Sequence, residues 1–270
     1  MRVLFLGDIV GRSGRDAILR HLPEIKRRLA PDAVIINCEN AAHGFGITEP
    51  ITQELIGAGA DVLTSGNHIW DQREALVFIA REPRLLRPLN FPKGTPGHGT
   101  AMIETAAGRL LVVNAMGRLF MDALDDPFAA VDRELEACHL GAGADAIVLD
   151  FHAEATSEKQ AMGHFCDGRA SLVVGTHTHV PTSDHMILAG GTAYLSDAGM
   201  CGDYDSVIGM QKQEPINRFI RKTPGARLEP AEGEGTVCGV FVETARSGLA
   251  RHVAPVRVGG RLEEAWPRLD

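Results

Sequence analysis

Arg2-Val-Leu-Phe-Leu-Gly-Asp8 opens the chain with a short, mostly apolar run, then a glycine and a carboxylate. A run of that length bounded by glycine reads as a strand buried on both faces. Two further runs repeat the figure. Ala33-Val-Ile-Ile-Asn37 leads into Cys38-Glu39-Asn40, and Asp61-Val-Leu-Thr64 leads into Ser65-Gly66-Asn67-His68. Between them, residues 14–29 and 48–58 carry apolar side chains at helical spacing, with Pro23 expected to kink or split the first helix. Strand–helix–strand alternation of this kind predicts a largely parallel sheet with helices on its faces.

The pattern continues outward. Strands are expected over 110–114, 146–151 and 172–175, and helices over 127–139 and 157–165. Residues 84–108 are rich in Pro and Gly, including Phe91-Pro-Lys-Gly-Thr-Pro-Gly97, and read as a surface excursion. After Val180 short strands and turns succeed one another at 186–188, 192–195, 236–243 and 251–256, expected as antiparallel strands completing a second sheet. With no internal repeat or linker, residues 1–270 read as one α/β domain of two stacked sheets flanked by helices.

Composition narrows the partners. The 270 residues are 44% hydrophobic, enough for a sizeable core, and carry a formal net charge of −8. That acidity argues against strong non-specific binding to nucleic acid or to anionic membranes, but not against a small anion held by bound cations. The five cysteines are scattered without a CxxC pair and read as reduced thiols of a cytoplasmic protein. The N-terminal apolar run is too short for a signal peptide, and no stretch is long enough to span a bilayer.

Chemistry enters at the strand ends. Asp8, Glu39 with Asn40, Asn67 with His68, His152, and His177 with His179 each stand at or just past one of them. In open α/β sheets ligands bind outside the carboxyl ends of the strands, so these groups are placed to converge. Taken singly, an Asp there is a turn or cap residue, a His is structural, and Asn67 is a left-handed turn residue. His177-Thr-His179 is more specific, since i and i+2 on extended backbone face one side. Repeated after five strands, the set suits a pair of transition metals, with imidazole nitrogens joined by carboxylate and amide oxygens. A carboxylate bridging two ions ~3.5–4 Å apart is the arrangement that activates water for phosphoryl displacement.

The series Gly7-Asp8, Glu39-Asn40, Gly66-Asn-His68, His152 and Gly175-Thr-His-Thr-His179 resembles the calcineurin-like metallophosphoesterase superfamily. It is most similar to the YmdB-like bacterial branch. Glu39-Asn-Ala-Ala-His-Gly44, Asp150-Phe-His-Ala-Glu-Ala-Thr-Ser-Glu158, Asp167-Gly-Arg-Ala170 and Leu124-Asp-Asp-Pro-Phe128 match that branch as well. The likeness runs from Met1 to about Val256. It implies a four-layer α-β-β-α sandwich and a dinuclear site. Asp8, Glu39, Asn40 and His179 would hold one divalent ion, and Glu39, Asn67, His152 and His177 the other, with Glu39 bridging. Iron or manganese is implied, with magnesium or zinc as alternatives. Two departures from the wider superfamily, shared with the branch, are Asp8-Ile-Val10 in place of Asp-x-His, and Glu39 in place of the bridging aspartate. Both tilt the first site towards harder ions.

The resemblance further implies hydrolysis of phosphodiesters, including 2′,3′-cyclic nucleotides. A metal-bridging hydroxide would attack phosphorus, with His68 as general acid for the departing oxygen. His68's bland reading is a spare ligand. His43 and Phe45, on the small-residue loop Ala41-Ala-His-Gly-Phe-Gly46, are candidates for substrate contact or simply a connection to the next helix. Trp70 and Asp71 are candidate supports for His68, and Asp150 and Glu154 for His152. Arg169 is expected to pair with a phosphate or an internal carboxylate. Self-association is expected from family likeness only. The rival readings are a metal-dependent phosphomonoesterase or ribonuclease, and a nucleotide-binding regulatory protein with little turnover.

Overall fold

A computed structural model of the chain describes residues 1–223 and 225–268. Thirteen strands and six α-helices are named here in chain order. The first sheet runs β13-β12-β1-β3-β4, formed by Ala250–Val258, Val237–Thr244, Arg2–Leu6, Ala33–Asn37 and Val62–Thr64. The second runs β5-β6-β7-β8-β10-β9, formed by Thr100–Thr105, Gly108–Met116, Ala146–His152, Leu172–Thr176, Ala193–Leu195 and Met186–Ile187. A two-stranded parallel ladder, β2 (Asp8–Ile9) on β11 (Met200–Cys201), joins the segments that leave β1 and β10. The helices are α1 (Gly11–Leu29), α2 (Glu49–Gly57), α3 (Ala75–Phe78), α4 (Pro127–Ala137), α5 (Thr156–Phe165) and α6 (Gln213–Arg221).

The period of two in each strand creates the layers. In β1, Leu4 and Leu6 pack with Ile18, Leu22 and Ile25 of α1, while Val3 and Phe5 face the other way. Those two meet Val112 of β6, Val148 of β7 and Val174 of β8 in the core between the sheets. On the far side of the second sheet, Ile147, Leu149 and Phe151 pack against Val131 and Leu135 of α4 and Met162 of α5. Helix, sheet, sheet and helix thus stack into the expected four layers, because strands apolar on both faces must be covered on both.

Three expectations change in detail. β12 and β13 do not complete the second sheet; β12 pairs antiparallel with β1, Arg2 opposite Glu243 through Leu6 opposite Gly239. β1 is apolar on both faces and cannot serve as an edge, so a strand is needed on the side away from β3. Pro23 does not split the first helix, which runs unbroken from Gly11 to Leu29 and gains a turn at its N-terminus. Within the 84–108 passage, Thr100–Thr105 is itself an edge strand, hairpinned onto β6. No helix among the described residues is long and apolar enough to cross a membrane.

Candidate metal centre

The interlayer face stays apolar along most of each strand and turns polar at the carboxyl end. In β7, Ala146 and Val148 are core and the next residues of the same parity are Asp150 and His152. β3 runs Ala33, Ile35, then Asn37; β4 runs Val62, then Thr64; β8 runs Leu172, Val174, then Thr176. All of these polar residues are buried. They satisfy one another: Asp150 accepts hydrogen bonds from Asn37 Nδ2 (2.9 Å), Thr176 Oγ1 (2.7 Å) and Thr64 Oγ1. Burial pushes the Asp150 carboxyl up, and His152 and its three donors pull against that shift. Thr176 Oγ1 also sits 2.9 Å from His152 Nδ1, fixing the ring so that Nε2 points outward.

Around that Nε2 the donors gather. Glu39 Oε2 lies 3.1 Å away, Asn67 Oδ1 3.0 Å and His177 Nδ1 3.1 Å. On the other side of Glu39, Asn40 Nδ2 is 2.9 Å from Glu39 Oε1 and 3.1 Å from His179 Nε2. Asp8 Oδ2 accepts from the His177 backbone N–H at 3.2 Å. Two groups result, Glu39–His152–His177 and Asp8–Glu39–His179; within each, the ligand atoms all lie within 4.8 Å of one another, and Glu39 belongs to both. The seven side chains expected to converge, from Asp8 to His179, therefore do so.

The electrostatics are those of donors sharing protons. Burial holds Asp8 well above its usual range, with Glu39, Asp197 and Asp150 adding to the effect and His152 opposing it. Glu39 is buried too, yet His152, His68 and His177 outweigh that penalty and hold it well below the usual carboxylate range. Burial alone would lower His152, but Glu39, Asp8 and Asp150 raise it to about 9. Burial and the neighbouring His152 push His177 down to about 3, and burial lowers His179. His152 would have to give up its proton to serve as a ligand for a cation held here, the usual exchange at imidazole ligands.

Two observations test the fit of divalent ions. Asp8 Oδ1 and Asn40 Oδ1 are buried without a hydrogen-bond partner, a costly state for a carboxylate and an amide oxygen unless something else engages them. The donor set also mixes imidazole with oxygen in the way first-row divalent metals prefer. The residues fit. Gly66 is required for space, because a Cβ there would collide with His152 Nε2 and Glu39 Oε2.

One local expectation is corrected. His177 and His179 do not share an extended strand, because β8 ends at Thr176 and both have positive φ, 97° and 65°. Such backbone costs roughly 1–3 kcal/mol per residue and persists only where the surroundings enforce it. Here Asp197 Oδ2 accepts from Thr178 N–H (3.1 Å) and Thr178 Oγ1 (2.8 Å), and pairs with the buried ammonium of Lys159 at 2.8 Å. The kinked turn presents one imidazole to each donor group.

The supporting residues divide. His68 Nδ1 meets Asp71 Oδ2 at 2.8 Å, and the Phe45 ring stacks edge-on against His68 at 5.1 Å. Trp70 packs against Phe91 instead. Glu154 reaches His177 Nε2 (3.2 Å), not His152. Arg169 pairs with Asp132 and Glu136 on α4, so it is an internal pairing and not a phosphate contact. A cavity of about 370 Å³ opens over the donors, lined by Glu39, Asn40, Phe45, His68, Glu154 and His177, with Ile208, Met210 and Leu228 beyond. His43 is exposed and is not part of that lining. A larger cavity, about 590 Å³ over the first turns of α1, holds no such donor cluster, and its Arg20 pairs with Glu234 at 3.4 Å.

Sequence reasoning missed Thr176, Lys159 and Asp197. The parity of β8 would have put Thr176 on the interlayer face, and Lys159 stands three residues before the buried Met162, where an apolar residue is expected. Asp197, in a loop, carries no such signal.

The profile of the YmdB-like protein family matches residues 4–256. The chain belongs to the YmdB-like family. A 2′,3′-cyclic-nucleotide 2′-phosphodiesterase of Bacillus subtilis (strain 168) is 50% identical over 243 residues, covering 90% of this chain and 91% of that protein. Among solved structures, a hypothetical protein of Thermus thermophilus superposes with a TM-score of 0.90 at 42% identity, covering 97% of this chain and 100% of the other. A novel phosphatase of Mycoplasma pneumoniae does so with a TM-score of 0.90 at 31% identity, covering 96% and 93%. The resemblance to YmdB-like metallophosphoesterases carried by the strand-end motifs therefore holds over nearly the whole chain.

Proposed function

We propose that this YmdB-like chain is a phosphodiesterase that opens 2′,3′-cyclic nucleotides with two divalent metal ions. The observation that carries the reading is the pair of donor groups sharing Glu39 beneath a cavity of about 370 Å³. Asp8, Glu39, Asn40 and His179 would hold one ion, and Glu39, Asn67, His152 and His177 the other, with iron or manganese favoured by family likeness. Bound there, the ions would supply an activated water and neutralise charge on the phosphoryl oxygens.

The chain's own residues supply the rest. Asp71 fixes the His68 ring through Nδ1, which leaves Nε2 to deliver a proton. Water adds to phosphorus, the bond to the 2′ oxygen breaks, and His68 protonates that oxygen to leave a 3′-phosphate. The choice of the 2′ bond rests on the likeness to the Bacillus subtilis 2′-phosphodiesterase. Phe45, beside His68, gives the cavity an apolar wall for ribose or base. Five unpaired cysteines, four of them buried, support residence in the reducing cytoplasm.

A turnover panel on metal-loaded protein, with elemental analysis, tests the reading. The substrates are 2′,3′-cyclic AMP, bis-p-nitrophenyl phosphate, p-nitrophenyl phosphate and a short RNA. The two diesters should turn over fastest, with two metals per chain. Preference for the monoester or the RNA would reassign the substrate, and tight nucleotide binding without turnover would favour a regulatory role.

A further inference from the structure

A second cavity, of about 460 Å³, adjoins the one over the donors. Phe45 and Leu228 line both, and Asp71, Arg218 and Arg227 complete the second. Its two guanidiniums have different duties. Arg218 is spent within the protein: Nε lies 3.1 Å from Glu214 Oε1, and an Nη donates to the Ala226 carbonyl. That second bond holds the backbone directly before Arg227. Gly225 allows the close packing, since a Cβ there would collide with Glu214 Oε1. Arg227 is exposed on the cavity rim and makes no ion pair and no side-chain hydrogen bond among the described residues. The carboxylate in the cavity, Asp71, is already engaged by His68.

We propose that Arg227 is a specificity-determining residue that recognises a second phosphate on the substrate, one carried by the 5′ oxygen of the nucleotide being opened. The inference rests on the phosphodiesterase reading and names its substrate class: 2′,3′-cyclic nucleotides bearing a 5′-phosphate, as a free monoester or as the diester to a preceding nucleotide. With the cyclic phosphate at the donor groups and the nucleoside along Phe45 and Leu228, which line both cavities, the 5′ end would reach towards the adjoining one. A guanidinium with open donors suits phosphate there, since it offers paired N–H groups.

Kinetics on the metal-loaded full chain tests this with adenosine 2′,3′-cyclic phosphate, its 5′-phosphorylated form, and the dinucleotide ApA ending in a 2′,3′-cyclic phosphate. Wild type should favour both 5′-substituted substrates by about tenfold in kcat/KM, through KM. Arg227→Ala should bring the ratios near one, and Arg227→Lys should keep part of them. Preference for the dinucleotide alone would assign the diester as the source, and for both, the phosphate itself. Equal wild-type values, or an Arg227→Ala loss equal across all three, would overturn the proposal. Calorimetric binding of adenosine 3′,5′-bisphosphate against adenosine 3′-monophosphate separates the two readings. A binding preference lost in Arg227→Ala, with no turnover in any arm, would overturn the hydrolytic reading and with it the substrate class, leaving Arg227 only as a contact for a 5′-phosphate.

Discussion

The two donor groups on either side of Glu39 are built differently. Asp8, Glu39, Asn40 and His179 are all buried, and two of their oxygens, Asp8 Oδ1 and Asn40 Oδ1, have no hydrogen-bond partner. In the other group every donor is already tied to its neighbours. His152 is braced by Thr176 and Asp150 and touches Asn67 and His177, while His177 is partly open to solvent and capped by Glu154. The first group is richer in unsatisfied oxygen and reaches the cavity through Asn40 and His179, a set that would suit a hard cation. The second pairs two imidazoles, His152 fully buried and His177 at the cavity wall, aligned by a hydrogen-bonded chain. Unpartnered oxygens and hydrogen-bonded alignment are thus divided between two halves that share one carboxylate.

Glu39→Gln should have the largest effect, because it weakens both halves at once. We expect kcat/KM for 2′,3′-cyclic AMP to fall roughly 10⁴-fold or more as charge stabilisation worth several kcal/mol is lost, with fewer than two metals retained by elemental analysis. Next is His68→Ala, which belongs to neither half. Its kcat should drop by about 10²–10³-fold on the cyclic nucleotide but much less on bis-p-nitrophenyl phosphate, whose leaving group needs no proton. Metal content should be unchanged; if an ion is lost, His68 is a ligand.

Thr176→Val sharpens the contrast between the halves. It cuts the chain from Asp150 to His152, so affinity for one ion should weaken by ~10–100-fold while the other stays in place. Competition with a chelator, followed by metal analysis, would resolve the two. Equal weakening of both would mean the halves act as one. The smallest effect is expected for Asp71→Asn. The pair with His68 is partly exposed and worth roughly 0.2–1 kcal/mol, so kcat should fall at most about fivefold.

The framework of this site is legible in the sequence because strands and their ends are local signals. Short, mostly apolar runs, closed by Gly-Asp, Cys-Glu-Asn or Gly-Asn-His, fix both the elements and where their polar residues emerge. The features that stayed hidden depend on partners distant along the chain. The pairing of β12 with β1 joins residues more than two hundred positions apart and has no local code. The left-handed turn at His177 and His179 is imposed by Asp197 and Lys159, against the preference of the residues themselves. Parity could have revealed the Asn37–Thr64–Asp150–Thr176 cluster, since each member ends an otherwise apolar interlayer face. Arg227 sits in an irregular stretch where neither parity nor spacing applies.

Anomalous diffraction from crystals of the metal-loaded protein, collected at the edge of the bound element, tests the central claim most directly. Two peaks should appear ~3.5–4 Å apart, one on each side of the Glu39 carboxylate, between Asp8 and His179 on one flank and His152 and His177 on the other. A single peak, or peaks away from Glu39, would contradict the account.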